Sequence, residues 1–206
     1  IDTAKSSRYL SEKFAKTPHI AIPTTAGTGS ESTQFATYYK GKIKNSFDNK
    51  SLLPNYVILS HLFTETLPST IAANTGADAL CQAIESFWNV HSTDNSREMA
   101  TAALVKIVKN LEKSVINNDA DSRHEMLIAA NLAGQAINIT RTTACHSISY
   151  PITSHFGIPH GQAVSISLPE LLIYNYNINA NDCCDARGIY FVKRRLEELL
   201  EILGVN

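Results

Sequence analysis

The stretch GADALCQAIE, residues 76–85, carries the pattern that decides the fold of this 206-residue chain. Its small and apolar residues predict a helix on which Asp78 and Gln82 lie one turn apart, with Glu85 near the same face. Burying an unpaired carboxylate among alanine, leucine and isoleucine is costly. Asp78 is therefore either a residue near the helix start that the helix dipole favours, or a metal ligand.

Helical periodicity continues from this stretch toward the end of the sequence. After Leu67-Pro68, apolar residues recur at helical spacing, which predicts an all-helical part. The predicted helices run from Ser69 toward Trp88 with an interruption at Gly76, from Asp94 or Ser96, from Asp121-Ser122, from Thr142 or Thr143 with a kink or end at Pro151, from His160-Gly161, and from Arg187 to Leu203.

The part of the chain before residue 67 is rich in β-forming residues. Short apolar runs at 19–22, 35–39 and 56–59 are separated by glycine, asparagine, aspartate and proline, which predicts strands. The segment PTTAGTGSE, residues 23–31, follows the first run. Its glycines and hydroxyl groups suit a phosphate or a ribose, and they also suit an ordinary turn.

Two histidines in the helical part complete a candidate metal site. His146 lies in CHSISYP, residues 145–151, and His160 opens the next predicted helix, so a short kinked hairpin would bring them together. Taken singly, each histidine is more often a core or surface residue than a metal ligand. Two neutral imidazoles and one carboxylate would form a three-ligand site with an open position for water or substrate.

The composition excludes several classes of protein. Hydrophobic residues make up 44% of the chain, charged residues 18%, and the net charge is −1, so disordered and fibrous classes are excluded. Neither a nucleic acid nor a membrane surface is an expected partner. No apolar run reaches the roughly 18 residues of a membrane span. The four cysteines form no CxxC pair, and we expect reduced thiols in a cytoplasmic protein.

Three motifs together resemble the iron-containing (group III) alcohol dehydrogenase family: PTTAGTGSE at 23–31, TGADAL and IES within 75–86, and CHSISYP followed by HG within 145–161. The resemblance implies an α+β, multi-domain chain with a dehydroquinate synthase-like fold. Residues 1–67 would be the C-terminal part of an α/β dinucleotide-binding domain, and residues 68–206 an all-helical metal-binding domain. It also implies that a glycine-rich pyrophosphate loop precedes Ile1 and that the helical domain extends beyond Asn206.

The resemblance also implies a role for individual residues. Asp78, His146 and His160 match three metal ligands at the catalytic centre, and Gln82 stands where most members carry a fourth ligand, a histidine. An amide oxygen is a harder and weaker ligand than imidazole, so the choice between Fe2+ and Zn2+ stays open. The positions implied for NAD or NADP are Thr24, Thr25, Thr33, Lys44 and Tyr150.

The implied function is metal-dependent hydride transfer between a nicotinamide cofactor and a small alcohol or aldehyde, with a homo-oligomer left open. A metal-dependent lyase on the same fold and a non-catalytic homologue without metal are the alternatives. The strings at 85–97 and 136–161 are similar to the branch that contains phosphonoacetaldehyde reductases. In that context Arg141 is either a clamp for a phosphonate or a surface arginine at a helix end.

Overall fold

Strands lie in the first part of the chain and helices follow them. The computed structural model describes residues 17–41 and 43–205. Strand β1 (Ile20–Ala21) pairs in parallel with β4 (Tyr56–Val57). Strands β2 (Phe35–Lys40) and β3 (Ile43–Asp48) form an antiparallel hairpin. The described residues thus contain two small two-stranded sheets, while their division into domains at residue 67 stays a prediction.

The sequence pattern does not predict strand β3. Its residues, IKNSFD, carry only two large apolar side chains, and one of them, Ile43, is largely exposed. The strand forms because it pairs with its neighbour: the Tyr38 and Phe47 rings stack at 5.3 Å, and the Thr37 and Ser46 hydroxyls lie 3.4 Å apart. Such cross-strand pairs stabilise a hairpin without the burial that a periodicity argument detects.

Six helices follow in the described residues, as the periodicity predicts. They are α1 (Ser69–Phe87), α2 (Asp94–Ile116), α3 (Ala120–Thr140), α4 (Ala144–Phe156), α5 (His160–Asn177) and α6 (Ile189–Leu203). Helix α1 packs against α2, α3 and α5 and is therefore the centre of the bundle. Within the described ranges, no helix is both long enough and apolar enough to cross a bilayer.

The helix interruption considered at Gly76 and the helix end considered at Pro151 do not occur. Helix α1 continues through Gly76, where a Cβ atom would come within 2.3 Å of the Leu111 side chain on α2. The glycine therefore gives space to a neighbouring helix rather than interrupting its own. Helix α4 continues past Pro151 to Phe156, so this proline neither ends the helix nor separates it into two.

Helices α1, α2 and α5 begin at a predicted residue, whereas α3, α4 and α6 begin one or two residues away from the predicted start. Pro68 rather than Ser69 occupies the N-cap position of α1. Thr93 caps α2 by accepting a hydrogen bond from the Ser96 backbone, and the Asp119 side chain caps α3. These side chains accept from backbone N–H groups that have no partner within the helix. Helix α6 begins at Ile189 rather than at Arg187.

The core lies where α1 meets α2, α3 and α6. Its buried residues are mostly alanine with a few larger side chains, so the helices approach closely: Ala79, Ala83, Ile84, Phe87, Ala100, Ala103, Leu104, Ile107, Met126, Ala129, Ala130, Ala133, Ala136, Leu196 and Leu199. Dense packing of this kind makes α1 a rigid support for the polar residues on its opposite face.

The segment 23–31 packs against α3, and the two backbones come close together at Gly29 and Gly134. Gly29 has a positive φ of 59°, and a Cβ atom at Gly134 would lie 2.6 Å from its carbonyl oxygen. The Ser32 hydroxyl donates to the Asn131 carbonyl at 3.0 Å in the same contact. This packing places Thr28 beside α1, where its carbonyl accepts a hydrogen bond from Gln82 Nε2 at 3.3 Å.

Candidate metal centre

The three predicted metal ligands converge from three helices. Asp78 lies on α1, His146 on α4, and His160 is the first residue of α5. His146 Nε2 is 3.1 Å and His160 Nε2 is 3.8 Å from Asp78 Oδ1, and one ligand atom from each residue lies within 4.8 Å of the others. Their side chains are 6% (His146), 36% (His160) and 5% (Asp78) exposed, so the cluster is buried on one side and open on the other.

A glycine contact brings His160 to Asp78. The residue after His160 is Gly161, and a Cβ atom there would lie 1.7 Å from the Asn74 carbonyl oxygen of α1. Only a residue without a side chain lets the first turn of α5 lie directly against the backbone of α1. The imidazole of His160 is thereby placed one turn along α1, beside Asp78.

Glu85 holds His146 from the side opposite Asp78. Its side chain is fully buried, and one carboxylate oxygen accepts a hydrogen bond from His146 Nδ1. The other oxygen accepts from the Thr143 hydroxyl at 2.6 Å and from the Cys145 backbone N–H at 2.8 Å. Burial raises the pKa of Glu85, but the hydrogen bonds to His146, Thr143 and Cys145 outweigh it and hold the pKa below its usual value.

The two carboxylates around His146 favour positive charge at this point. Burial lowers the pKa of His146, but the hydrogen bonds to Asp78 and Glu85 prevail and raise it to about 9. A site that stabilises an imidazolium in this way also attracts a metal cation. Proton and metal compete for the same nitrogen, because a ligating imidazole must be neutral.

The surroundings of Gln82 show whether the four candidate ligands suit a divalent cation. Its side chain is buried and lines the same cavity as Asp78 and the two histidines. Within the described part of the chain, Gln82 Oε1 is buried without a hydrogen-bond partner, which costs about 1–3 kcal/mol unless a ligand compensates. An amide oxygen is a suitable ligand for a hard or borderline cation. The four residues therefore fit a divalent metal ion.

A cavity of about 750 Å3 opens from this cluster toward the β2–β3 hairpin. Thr33 and Tyr150, two positions implied for the cofactor, line it. The Tyr150 ring stacks on the His160 ring at 6.3 Å between centroids and 13° between planes. The cavity is large enough for a small substrate together with part of a larger ligand.

Arg141 lies at the edge of this cavity in a strained backbone conformation. Its φ of 67° and ψ of 177° fall in a region that almost only glycine occupies. The Thr140 hydroxyl and the Asn89 side chain hold the Arg141 carbonyl at 2.8 and 3.2 Å. The guanidinium pairs with Asp48 at the end of β3 and lies 4.7 Å above the Phe35 ring. A residue in this region carries about 1–3 kcal/mol of strain and keeps its conformation only because its surroundings hold it there.

The remaining residues implied for the cofactor are not gathered at the same place. Thr25 lines a second cavity beside β1, together with Thr28, and Thr24 is exposed in the turn after β1. Lys44 lies in β3, and its side chain is outside the described part of the structure.

Sequence reasoning misses three partners that the structure supplies. Glu85 is expected only near the face of Asp78, and its contact with His146 spans 61 residues. The Ser149 hydroxyl lies 3.4 Å from His160 Nδ1, and Asp48 pairs with Arg141. Polar residues such as serine carry no periodic signal. A buried Glu85 surrounded by apolar residues is the one feature that could have indicated a partner.

Comparison with known proteins identifies similar chains. Residues 72–206 match the sequence family described as Fe-containing alcohol dehydrogenase family, C-terminal, and residues 1–61 match the family described as iron-containing alcohol dehydrogenase. A phosphonoacetaldehyde reductase of Streptomyces viridochromogenes is 37% identical over 188 residues, which are 90% of this chain and 48% of that protein. The probable alcohol dehydrogenase EutG of Escherichia coli is 37% identical over 77% of this chain and 41% of its own length.

A solved structure extends the comparison to the fold. The sulfoacetaldehyde reductase of Bifidobacterium kashiwanohense, solved in complex with NAD+, is 30% identical with a TM-score of 0.75. The alignment covers 92% of this chain and 53% of that protein. The α+β fold class expected from the sequence is thereby confirmed. The chain spans about half the length of the relatives that it matches.

Proposed function

The chain belongs to the family of iron-containing alcohol dehydrogenases, and from this we propose that it forms the metal-binding part of an enzyme that transfers hydride between a nicotinamide cofactor and a small alcohol or aldehyde. The observation that carries the proposal is the convergence of Asp78, His146 and His160 at one end of a cavity. The NAD+ complex of the sulfoacetaldehyde reductase favours NAD over NADP.

The residues of the chain hold, orient and enclose the reacting groups. Asp78, His146 and His160 would ligate the cation, with Gln82 as a fourth ligand. The buried walls of the site exclude water from one side of the substrate. A divalent cation supplies Lewis-acid polarisation of the substrate oxygen, and the nicotinamide supplies or accepts the hydride. Thr24, Thr25, Thr33, Lys44 and Tyr150 are the residues that we propose for cofactor contact.

The overall reaction can be tested directly. An aldehyde, reduced nicotinamide and one proton give the alcohol and oxidised nicotinamide, so aldehyde should cause loss of absorbance of the reduced cofactor in metal-loaded protein. Product formation without a net change in that absorbance would instead indicate the lyase. A protein that takes up neither Fe2+ nor Zn2+ would indicate the non-catalytic homologue. Parallel loading with the two metals decides which one sustains turnover.

The substrate that we propose is a short aldehyde with a tetrahedral anionic group, such as phosphonoacetaldehyde. Two similar proteins are named as reductases of phosphonoacetaldehyde and sulfoacetaldehyde, which share this anionic end. Arg141 lines the cavity beside Thr142 and Ser147, and its side chain is 56% exposed. A guanidinium binds a phosphonate through two parallel hydrogen bonds. Asp48 competes for the same guanidinium until the substrate arrives.

Arg141→Met should raise the KM for phosphonoacetaldehyde at least about tenfold, because a hydrogen bond to a charged group contributes about 1.5–3 kcal/mol. The KM for acetaldehyde, which has no anionic group, should change little. Asp48→Asn removes the competing carboxylate and should lower the KM for the phosphonate. Steady-state kinetics with both aldehydes measure these effects. Equal changes for the two aldehydes would contradict a role in anion recognition.

We also infer a cytoplasmic location. The described structure contains four free cysteines, two of them buried, which is typical of proteins in a reducing compartment.

A further inference from the structure

We infer that Glu85 positions His146 for the metal ion and supplies the second negative charge that balances a buried divalent cation. The inference rests on the proposed metal-dependent function and concerns a residue that does not itself contact the ion. Glu85 is a positioning residue, since it acts through His146.

The hydrogen bonds around Glu85 have only one consistent direction. The Trp88 indole N–H can only donate, and it donates to the Thr143 hydroxyl at 3.3 Å. The Thr143 hydroxyl therefore uses its own hydrogen for Glu85, at 2.6 Å. The Cys145 backbone N–H also donates, at 2.8 Å. One oxygen of Glu85 thus receives two fixed donors, which favours the ionised carboxylate, and an ionised carboxylate can only accept a hydrogen bond from His146 Nδ1.

This direction assigns the ring nitrogen that binds the metal. Because Glu85 accepts the hydrogen of His146 Nδ1, the lone pair of the neutral ring lies on Nε2. Nε2 is the nitrogen that faces Asp78, at 3.1 Å. A ligating histidine whose other ring N–H donates to a carboxylate has a fixed tautomer and orientation and a more basic ligating nitrogen.

His160 has a similar arrangement with a weaker partner. The Ser149 hydroxyl donates to the His146 carbonyl at 2.7 Å, so it offers a lone pair to His160 Nδ1 at 3.4 Å. His160 Nε2 then faces Asp78. Both histidines thus present Nε2, but Nδ1 of His146 contacts a buried charge and Nδ1 of His160 contacts a neutral hydroxyl. The effects of a charged and a neutral partner can therefore be compared on His146 and His160 within one site.

Glu85 is also needed to balance the charge of a divalent cation in this site. A divalent ion with Asp78 as its one anionic ligand would leave one positive charge in a region where the Asp78 and His146 side chains are only 5% and 6% exposed. An uncompensated charge in such surroundings is strongly destabilising. Glu85, which is 0% exposed and touches His146, brings the sum to zero.

The test is the Zn2+ affinity of three variants, measured by competition with a chromophoric chelator at constant pH. Glu85→Gln keeps the shape and removes the charge, and we expect a loss of about 10–100-fold, the usual effect of removing such a partner. Ser149→Ala removes the neutral partner of His160, and Thr143→Val removes one donor to Glu85; both should lose less. Affinity of Glu85→Gln equal to that of the unchanged protein, with a normal circular dichroism spectrum, would overturn the inference.

A second measurement uses the unchanged protein, so the inference stays testable if Glu85→Gln does not fold. Long-range proton–nitrogen NMR correlation of the zinc-loaded protein should show His146 protonated at Nδ1 and metal-bound at Nε2. The opposite tautomer would overturn the role of Glu85. If the unchanged protein takes up neither Zn2+ nor Fe2+ in the chelator assay, the proposed function itself fails. If zinc binds equally well to the unchanged protein and to Glu85→Gln, only the present inference fails.

Discussion

His160→Ala is expected to abolish metal-dependent aldehyde reduction while the six helices stay folded. The imidazole lies within 3.8 Å of Asp78 but its side chain is 36% exposed, so its removal leaves a solvated gap rather than a buried cavity. Lewis-acid stabilisation contributes several kcal/mol to such a reaction. At 1.36 kcal/mol per tenfold change, its loss corresponds to about a thousandfold decrease in kcat/KM.

The matched control for this variant is His155→Ala. His155 is also a histidine, lies in the last turn of α4 and is exposed. It should retain full activity and full metal content. Metal analysis, thermal unfolding and cofactor oxidation, measured side by side on the two variants, separate loss of the ligand from loss of the fold. Full activity in a metal-depleted His160→Ala would remove the metal from the proposed mechanism.

Gly161→Ala is expected to damage both the stability and the metal site. The added Cβ atom would lie 1.7 Å from the Asn74 carbonyl oxygen and 3.1 Å from the Asp78 backbone nitrogen, so α5 must move away from α1. Overpacking of this kind costs about 1–3 kcal/mol. The movement carries His160 away from Asp78, and we therefore expect a lower Zn2+ affinity as well as a lower denaturant midpoint.

A second glycine distinguishes the steric effect from backbone strain. Gly157 ends α4 with a φ of 69°, and a Cβ atom there would have nothing within 4 Å. Gly157→Ala should cost about 1–2 kcal/mol through its left-handed conformation, without displacing a ligand. Urea unfolding should show both variants destabilised, and zinc titration only Gly161→Ala weakened. Unchanged zinc affinity in Gly161→Ala would show that the contact between α5 and α1 does not position His160.

The helices could be predicted from the sequence because their buried faces repeat at a regular interval. In α2 the buried residues Ala100, Ala103, Leu104 and Ile107 follow this spacing. The β2–β3 hairpin could be predicted only in part, because β3 depends on its partner strand rather than on a buried face. Gly76 is ambiguous in a sequence, since the same residue interrupts a helix or admits a neighbouring side chain.

Only the candidate metal ligands of the site could be predicted from the sequence. Asp78, His146 and His160 have chemistry that indicates a metal, and the structure brings them together. The contacts that support these ligands could not be predicted in this way. Glu85 and Gly161 act through distances that no local pattern encodes: one reaches His146 across the bundle, and the other allows two helix backbones to touch.

The three proposed ligands, Asp78, His146 and His160, lie on three separate helices, so metal binding would couple to the folding equilibrium. A ligand that binds the native state alone adds RT ln(1 + [L]/Kd) to its stability, which is about 4 kcal/mol at a thousandfold excess over Kd. Purified samples with different metal content would then differ in thermal midpoint without any difference in sequence. Growth medium and chelators in the buffer thus become variables of every stability measurement on this protein, and variants are comparable only at equal occupancy.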